Sequence, residues 1–342
     1  MYEPLVSLSR GPIEECIHFG AAAIVDSTGK LLYSLGDPQG VTYLRSTSKP
    51  IQAIPFVEAG GVEKFGFSEE EAALMCASHH GTAEHIRVVK SMHQKAGLEL
   101  AQMLCGVHYP SDTEERNRLI LQDLEPVAYH NNCSGKHTMM LAYAKLMGYP
   151  LEDYINPAHP VQRDILECVS SMCKIPENNV AIGVDGCSVP VFGMPLYNAA
   201  LGFARMADPH DLPQKRAEAA RTLAKAMMHY PMMIAGPKGF DTDLMTAANQ
   251  KLFCKAGAEG FQGVGILPGV LGPDSPGIGI AVKISDGDPS LRARSAVTIA
   301  ILQHLQALTE EEIGVLGEYA SGHAIYNWQK MVVGKLTTTF KL

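Results

Sequence analysis

Strand-forming sequence stands at both ends of this chain and helix-forming sequence lies between, and that order limits the possible folds more than any single motif does. Residues 15–26 and 30–36 (ECIHFGAAAIVD and KLLYSLG) flank the turn Ser27, Thr28, Gly29 and read as a β-hairpin. The strand signal returns after about residue 250, in KLFCKAGAEGFQGVGILPG and GIGIAVKIS, with a Gly/Pro-rich loop at 265–277 and a long helical pattern at 290–307. Between these ends, Ser68 and Glu71 form a capping-box pattern ahead of AALMCA. Thr82 caps a stretch with Ile86, Val89 and Met92 in helical spacing, and Pro160 opens VQRDILECVSSMC. Further helical patterns cover 134–147, 196–207 and 211–229. Distant strands bury their edges by pairing, so this order predicts an α+β fold. One sheet is assembled from the N- and C-terminal parts (about 1–45 and 250–342), with a large helical region (about 46–249) inserted, and the whole of 1–342 forms a single unit.

With 46% hydrophobic and 19% charged residues, the composition is that of a globular chain. A net charge of -8 argues against nucleic acid and anionic membranes as partners, because both polyanions select basic patches. The start, MYEPLVSLSRGPIEE, has no basic segment followed by an apolar one, and nowhere do about 18 apolar residues run together, so a cytoplasmic protein is expected. The eight cysteines are then expected to be reduced, and Cys16, Cys76, Cys105, Cys168, Cys173 and Cys254 read as apolar fillers.

Five stretches carry chemistry-bearing residues, each with a plainer reading beside it. In RSTSKPIQ, Pro50 places a helix start near Thr47 or Ser48, so Ser46 and Lys49 lie on one side of a helix mouth, within reach as nucleophile and base. The plain alternative is Thr47 or Ser48 as N-cap and a solvated Lys49. CASHHGT, residues 76–82, is a polar turn after an apolar face, or simply a helix end closed by Gly81. In HNNCSGKH, residues 130–137, Ser134 could be an N-cap. GVDGCSVPVFGMPL, residues 183–196, sets Asp185 and Cys187 between glycines, which a turn would also explain. Lys255, in KAGAEG, lies in a strand pattern, where a solvated edge lysine is the ordinary case.

Taken in order, R-S-x-x-K-P, C-x-S-H-x-G, N-C-S-G-K-H, G-x-D-G-C-x-x-P and K-x-G-A-E-G resemble the motifs of the bacterial, rhizobial-type asparaginase II family across residues 45–260. The chain departs from them at Thr82, where the family usually carries glutamate. The resemblance implies hydrolysis of L-asparagine to aspartate and ammonia by a homodimer, on a fold similar to serine β-lactamases and glutaminases. It implies two serine–lysine pairs, Ser46 with Lys49 and Ser78 with Lys255. It also implies substrate contacts from Arg45, Asp185 and His137, and zinc held by Cys133, Lys136 and Cys187.

The residue types suit that chemistry. Amide hydrolysis needs a nucleophile, a base that later protonates ammonia, and donors for the oxyanion. Arg45 matches an α-carboxylate and Asp185 an α-ammonium, while two thiolates and an amine match a soft tetrahedral ion. A glutaminase is the nearest alternative, separated by one methylene of substrate. An amino-acid sensor is a more distant one, since a sensor has no use for a nucleophile.

Overall fold

The computed structural model describes residues 1–342, which form two compact units. The first contains residues 1–47, 194–208 and 243–342, and the second contains 48–193 and 209–242.

The first unit is built on an eight-stranded sheet. Its strands follow the order Ala324–Tyr326, Val332–Thr338, Glu3–Arg10, Ile13–Asp26, Ile278–Ile284, Phe261–Ile266 and Leu252–Gly257, with Leu31–Leu35 also paired to Ile13–Asp26. The expected hairpin is present, with Ala22 opposite Leu35 and Ile24 opposite Tyr33. The two ends of the chain share the sheet as anticipated: Ala23 pairs with Ala281, and Val6 with Thr338. The length of Ile13–Asp26, 14 residues, makes this possible. Its first half pairs with Glu3–Arg10 and its second half is flanked by Leu31–Leu35 and Ile278–Ile284. Residues 20–26 are all buried, and so is the whole of Ile278–Ile284, as strands covered on both faces must be. The helices Leu196–Ala207 and Ala293–His304 pack on Ile278–Ile284.

Residues 196–207 form the expected helix, but it belongs with the sheet and not with the helical region. Close backbone approach explains this. Gly265 and Gly279 stand opposite each other on adjacent strands, and a Cβ on Gly279 would lie 1.8 Å from the Ala200 carbonyl oxygen. The Ala/Gly-rich helix therefore lies directly on bare strand backbone.

The second unit is mainly helical. Its central helix, Lys49–Glu58, has eight of its ten residues buried, and Ser134–Met147, Pro160–Cys173 and Gln214–His229 pack around it. Several local expectations hold: the Ser68/Glu71 capping box, the Thr82 cap and Pro160 in a first helical turn. Others need correction. Ser48 occupies the N-cap position of Lys49–Glu58 without capping it, and its Oγ instead accepts from Gln52 Nε2 at 2.7 Å. Ser134 is the first residue of its helix and not a cap. Gly81, at φ +74°, lies beyond the helix Glu69–Met75, which ends on Cys76. No helix is long and apolar enough to cross a membrane. Only Cys16 among the eight cysteines is not buried.

Candidate active site

Lys49 opens the central helix and is fully buried, so its amine requires hydrogen-bond partners. It donates to the Ala77 carbonyl at 2.6 Å and to Ser78 Oγ at 2.9 Å, with the Asn132 carbonyl at 3.5 Å. Ser78 lies in the loop after Glu69–Met75, where its own N–H donates to the Ile234 carbonyl at 2.9 Å. Main-chain bonding thus fixes the loop and leaves the hydroxyl on the lysine. The amine expected to serve Ser46 is the one that holds Ser78.

Ser46 sits in a 3-10 turn, Arg45–Ser48, that runs without a break into Lys49–Glu58. In such a turn, side chains at i and i+3 eclipse. Within the first unit the turn rests on the strand Leu252–Gly257: Thr47 Oγ1 donates to the Lys255 carbonyl at 3.2 Å. A Cβ on Gly257 would come within 2.6 Å of both the Leu44 carbonyl and Thr47 Oγ1. The strand that carries Lys255 is therefore the support of the turn that carries Ser46. Lys255 is 1% exposed and donates to the Ala256 carbonyl at 2.6 Å, which rules out a solvated edge lysine. Arg45 has φ +52°, a left-handed conformation that costs a residue with a side chain about 1–3 kcal/mol and collects at functional turns. Its guanidinium stands 3.7 Å from the Glu259 carboxylate, an exposed and loose pairing.

Three more of the expected residues meet in the second unit. A turn between the strands Ala181–Val184 and Pro190–Pro195, closed by bonds between Asp185 and Val189 and between Ser188 and Asp185, presents Cys187. Lys136, in the first turn of Ser134–Met147, donates to Cys187 Sγ at 3.2 Å. A hydrogen bond from Cys187 holds the Cys133 thiol well below its usual range, against the effect of burial and with help from the Lys49 and Lys136 charges. The same bond, with burial, pushes Cys187 up. Burial would depress Lys136, but Cys187, Cys133 and Asp185 outweigh it and raise its pKa. The three groups are buried and linked through Cys187, which bonds both Lys136 and Cys133. Two sulfurs and one nitrogen converging in this way fit a soft tetrahedral ion such as zinc, once Cys187 and Lys136 release their protons.

His137 is buried beside them. Leu104 N–H donates to the Tyr154 oxygen at 2.9 Å, so the phenol donates to His137 Nδ1 at 2.6 Å and assigns the ring proton to Nε2, which has no partner. Burial, then Lys136 and Lys49, push the His137 pKa well down, so the ring is neutral. His79 was passed over in the sequence as part of a polar turn. Gly81 N–H donates to its Nδ1 at 3.0 Å, so Nε2–H donates to Ser134 Oγ at 2.8 Å; burial, then His85 and Lys49, keep it neutral. Tyr154 carried no signal at all, because its link to His137 spans 17 residues and follows no motif.

The arrangement sets a buried lysine amine on a serine hydroxyl. The L-asparaginase II family model matches residues 6–338, nearly the whole chain. The chain belongs to the L-asparaginase II family and is an amidohydrolase. No curated protein matches it. Solved structures similar to it include a probable glutaminase from Bacillus subtilis complexed with 6-diazo-5-oxo-L-norleucine, at 14% identity over 84% of each chain and a TM-score of 0.39. Another is a Bacillus glutaminase, at 13% identity over 84% of this chain and 91% of that one, with a TM-score of 0.40. The family assignment rests on the family match alone.

Proposed function

We propose that this amidohydrolase converts L-asparagine to L-aspartate and ammonia through an acyl-enzyme on Ser46, with Lys49 as base and Ser78 as the lysine's proton partner. The observation that carries this reading is the buried Lys49 amine, 2.9 Å from Ser78 Oγ and three residues from Ser46 on one continuous helical run. The choice between the serines follows from their main chains. The Ser78 N–H is committed to the Ile234 carbonyl. Ser46 stands in the first turn of its helical run, where a leading N–H other than that of Thr47, which bonds the Leu44 carbonyl, can receive an oxyanion. The strained backbone at Arg45 favours the same turn.

In this mechanism Lys49, reacting as the neutral amine, takes the Ser46 hydroxyl proton as Oγ attacks the side-chain amide carbon. It returns a proton to the departing nitrogen, and ammonia leaves. Water then cleaves the ester with Lys49 again as base and Ser78 sharing its proton. Arg45 takes the substrate α-carboxylate in a bidentate pair and Asp185 the α-ammonium, with His137 Nε2–H as a further donor. Lys255 supports the Ser46 turn through its main chain.

Two tests apply. Ammonia release from L-asparagine and L-glutamine, measured side by side, should favour asparagine by roughly 10-fold or more in kcat/KM, the discrimination that one methylene permits. Equal or better turnover of glutamine would make the protein a glutaminase, and release from neither would end the amide reading. Zinc held by Cys133, Lys136 and Cys187 would supply a Lewis acid that orients the polar end of the substrate. Elemental analysis should find about one zinc per chain, lost in Cys187→Ala together with a rise in KM larger than the fall in kcat. Metal-free protein with unchanged kinetics would leave the trio a purely structural cluster.

A further inference from the structure

Two buried cations in the sheet unit hold main chain in place of carboxylates. Lys283, on the strand Ile278–Ile284, is 8% exposed, and Arg294, in the first turn of the helix Ala293–His304, is 7% exposed. Lys283 Nζ donates to the Glu259 carbonyl at 2.6 Å and also to the Ile284 carbonyl. Arg294 Nη1 donates to the Gly257 carbonyl at 3.3 Å, and its Nε is buried with no partner. Burial lowers the Lys283 pKa, and the Glu259 and Asp286 charges oppose that effect without cancelling it. A buried charge so sparsely bonded costs stability, and an apolar side chain would suit either place better.

Both cations hold one turn, residues 257–260, between the strands Leu252–Gly257 and Phe261–Ile266. Glu259 is left-handed there, at φ +59°, a conformation that surrounding contacts must impose. The turn reaches the reaction at two points. Gly257 lies so close to the Leu44 carbonyl and Thr47 Oγ1 that a Cβ would come within 2.6 Å of each, and these two residues flank Arg45 and Ser46. The Glu259 carboxylate stands 3.7 Å from the Arg45 guanidinium.

We propose that Arg294 and Lys283 are positioning residues of the amidohydrolase, which fix the 257–260 turn and through it the placement of Ser46 and Arg45. The inference rests on the roles proposed above for those two residues. Arg294 acts through Gly257 on the Ser46 turn, so its loss falls on kcat. Lys283 acts through Glu259 on Arg45, so its loss falls on KM.

The experiment combines kinetics, denaturation and hydrogen exchange. Arg294→Met should lower kcat by about 10-fold, and Lys283→Met should raise KM by about 3-fold, the smaller effect passing through an exposed ion pair. Neither should lower the denaturation midpoint, because each removes a buried charge. Ile299→Ala, a buried position on the same helix, is the control: it should lower the midpoint and leave kcat and KM unchanged. Arg294→Lys and Lys283→Arg keep a charge and a donor, so they should fold and show smaller losses in the same parameters. Amide exchange in the segment 44–47 should quicken in both methionine variants and stay at the parental rate in Ile299→Ala. Parental kinetics in the methionine variants, unchanged exchange at 44–47, or activity that merely follows the midpoint across all variants would overturn the proposal. The exchange measurement needs no substrate. If Arg45→Lys were kinetically silent and the acyl group lay on Ser78, the functional roles would fall while exchange at 44–47 still reported on the clamp.

Discussion

Lys49→Met is expected to lower asparagine turnover by at least about 100-fold while leaving a folded protein. Methionine nearly matches the length of the lysine and tolerates full burial, so the helix Lys49–Glu58 keeps its packing. What it removes is the donor to the Ala77 carbonyl and to Ser78 Oγ. Leaving those acceptors unmet costs about 1–3 kcal/mol of stability, which a protein stable by about 5–15 kcal/mol withstands while staying folded. Ser46→Ala should be equally damaging, and the double variant little worse than either, because nucleophile and base act as one unit. Circular dichroism separates folding from chemistry, and initial rates of ammonia release give kcat. If Lys49→Met kept turnover within a few-fold of the parent, the base would have to be sought elsewhere. Acid-quenched reaction followed by peptide mapping should find the acyl group on Ser46, and an acyl group on Ser78 would exchange the roles of the two serines.

Gly279→Val should produce the largest loss of stability among single substitutions in the sheet unit, about 3 kcal/mol or more. A Cβ at 279 would lie 1.8 Å from the Ala200 carbonyl oxygen and 2.5 Å from the Ala204 nitrogen. Both are main-chain atoms of the helix Leu196–Ala207, so no rotamer change relieves the clash and the whole helix must lift from the strand. Gly269→Ala is the control within the same part of the chain: nothing lies within 4 Å of its would-be Cβ, although its φ of +82° still carries some strain. Denaturant midpoints of the two variants should differ clearly. Comparable midpoints would mean that the helix does not press on the strand as described.

The local elements were legible because their signals are local. Ser68 bonded to Glu71, and Pro160 in a first turn, follow from backbone groups that only near neighbours in sequence can satisfy. The same logic misled where a hydroxyl had a better offer from afar: Ser134 looked like a cap, but its Oγ is taken by His79, 55 residues away. Cys16 looked apolar because it opens a strand pattern that runs into GAAAIV, although Glu15 stands directly before it. Its actual surroundings include Arg292, 276 residues distant.

By itself the sequence determined the α+β order of elements and the family, since motif spacing and hydrophobic period are properties of the chain alone. Only the tertiary structure decided which serine the Lys49 amine bonds, that Cys133, Lys136 and Cys187 touch, and that the helix Leu196–Ala207 joins the sheet. Each of those facts depends on groups far apart in sequence competing for one partner or one space. Such a competition is settled by burial and close approach, and no local pattern records its outcome.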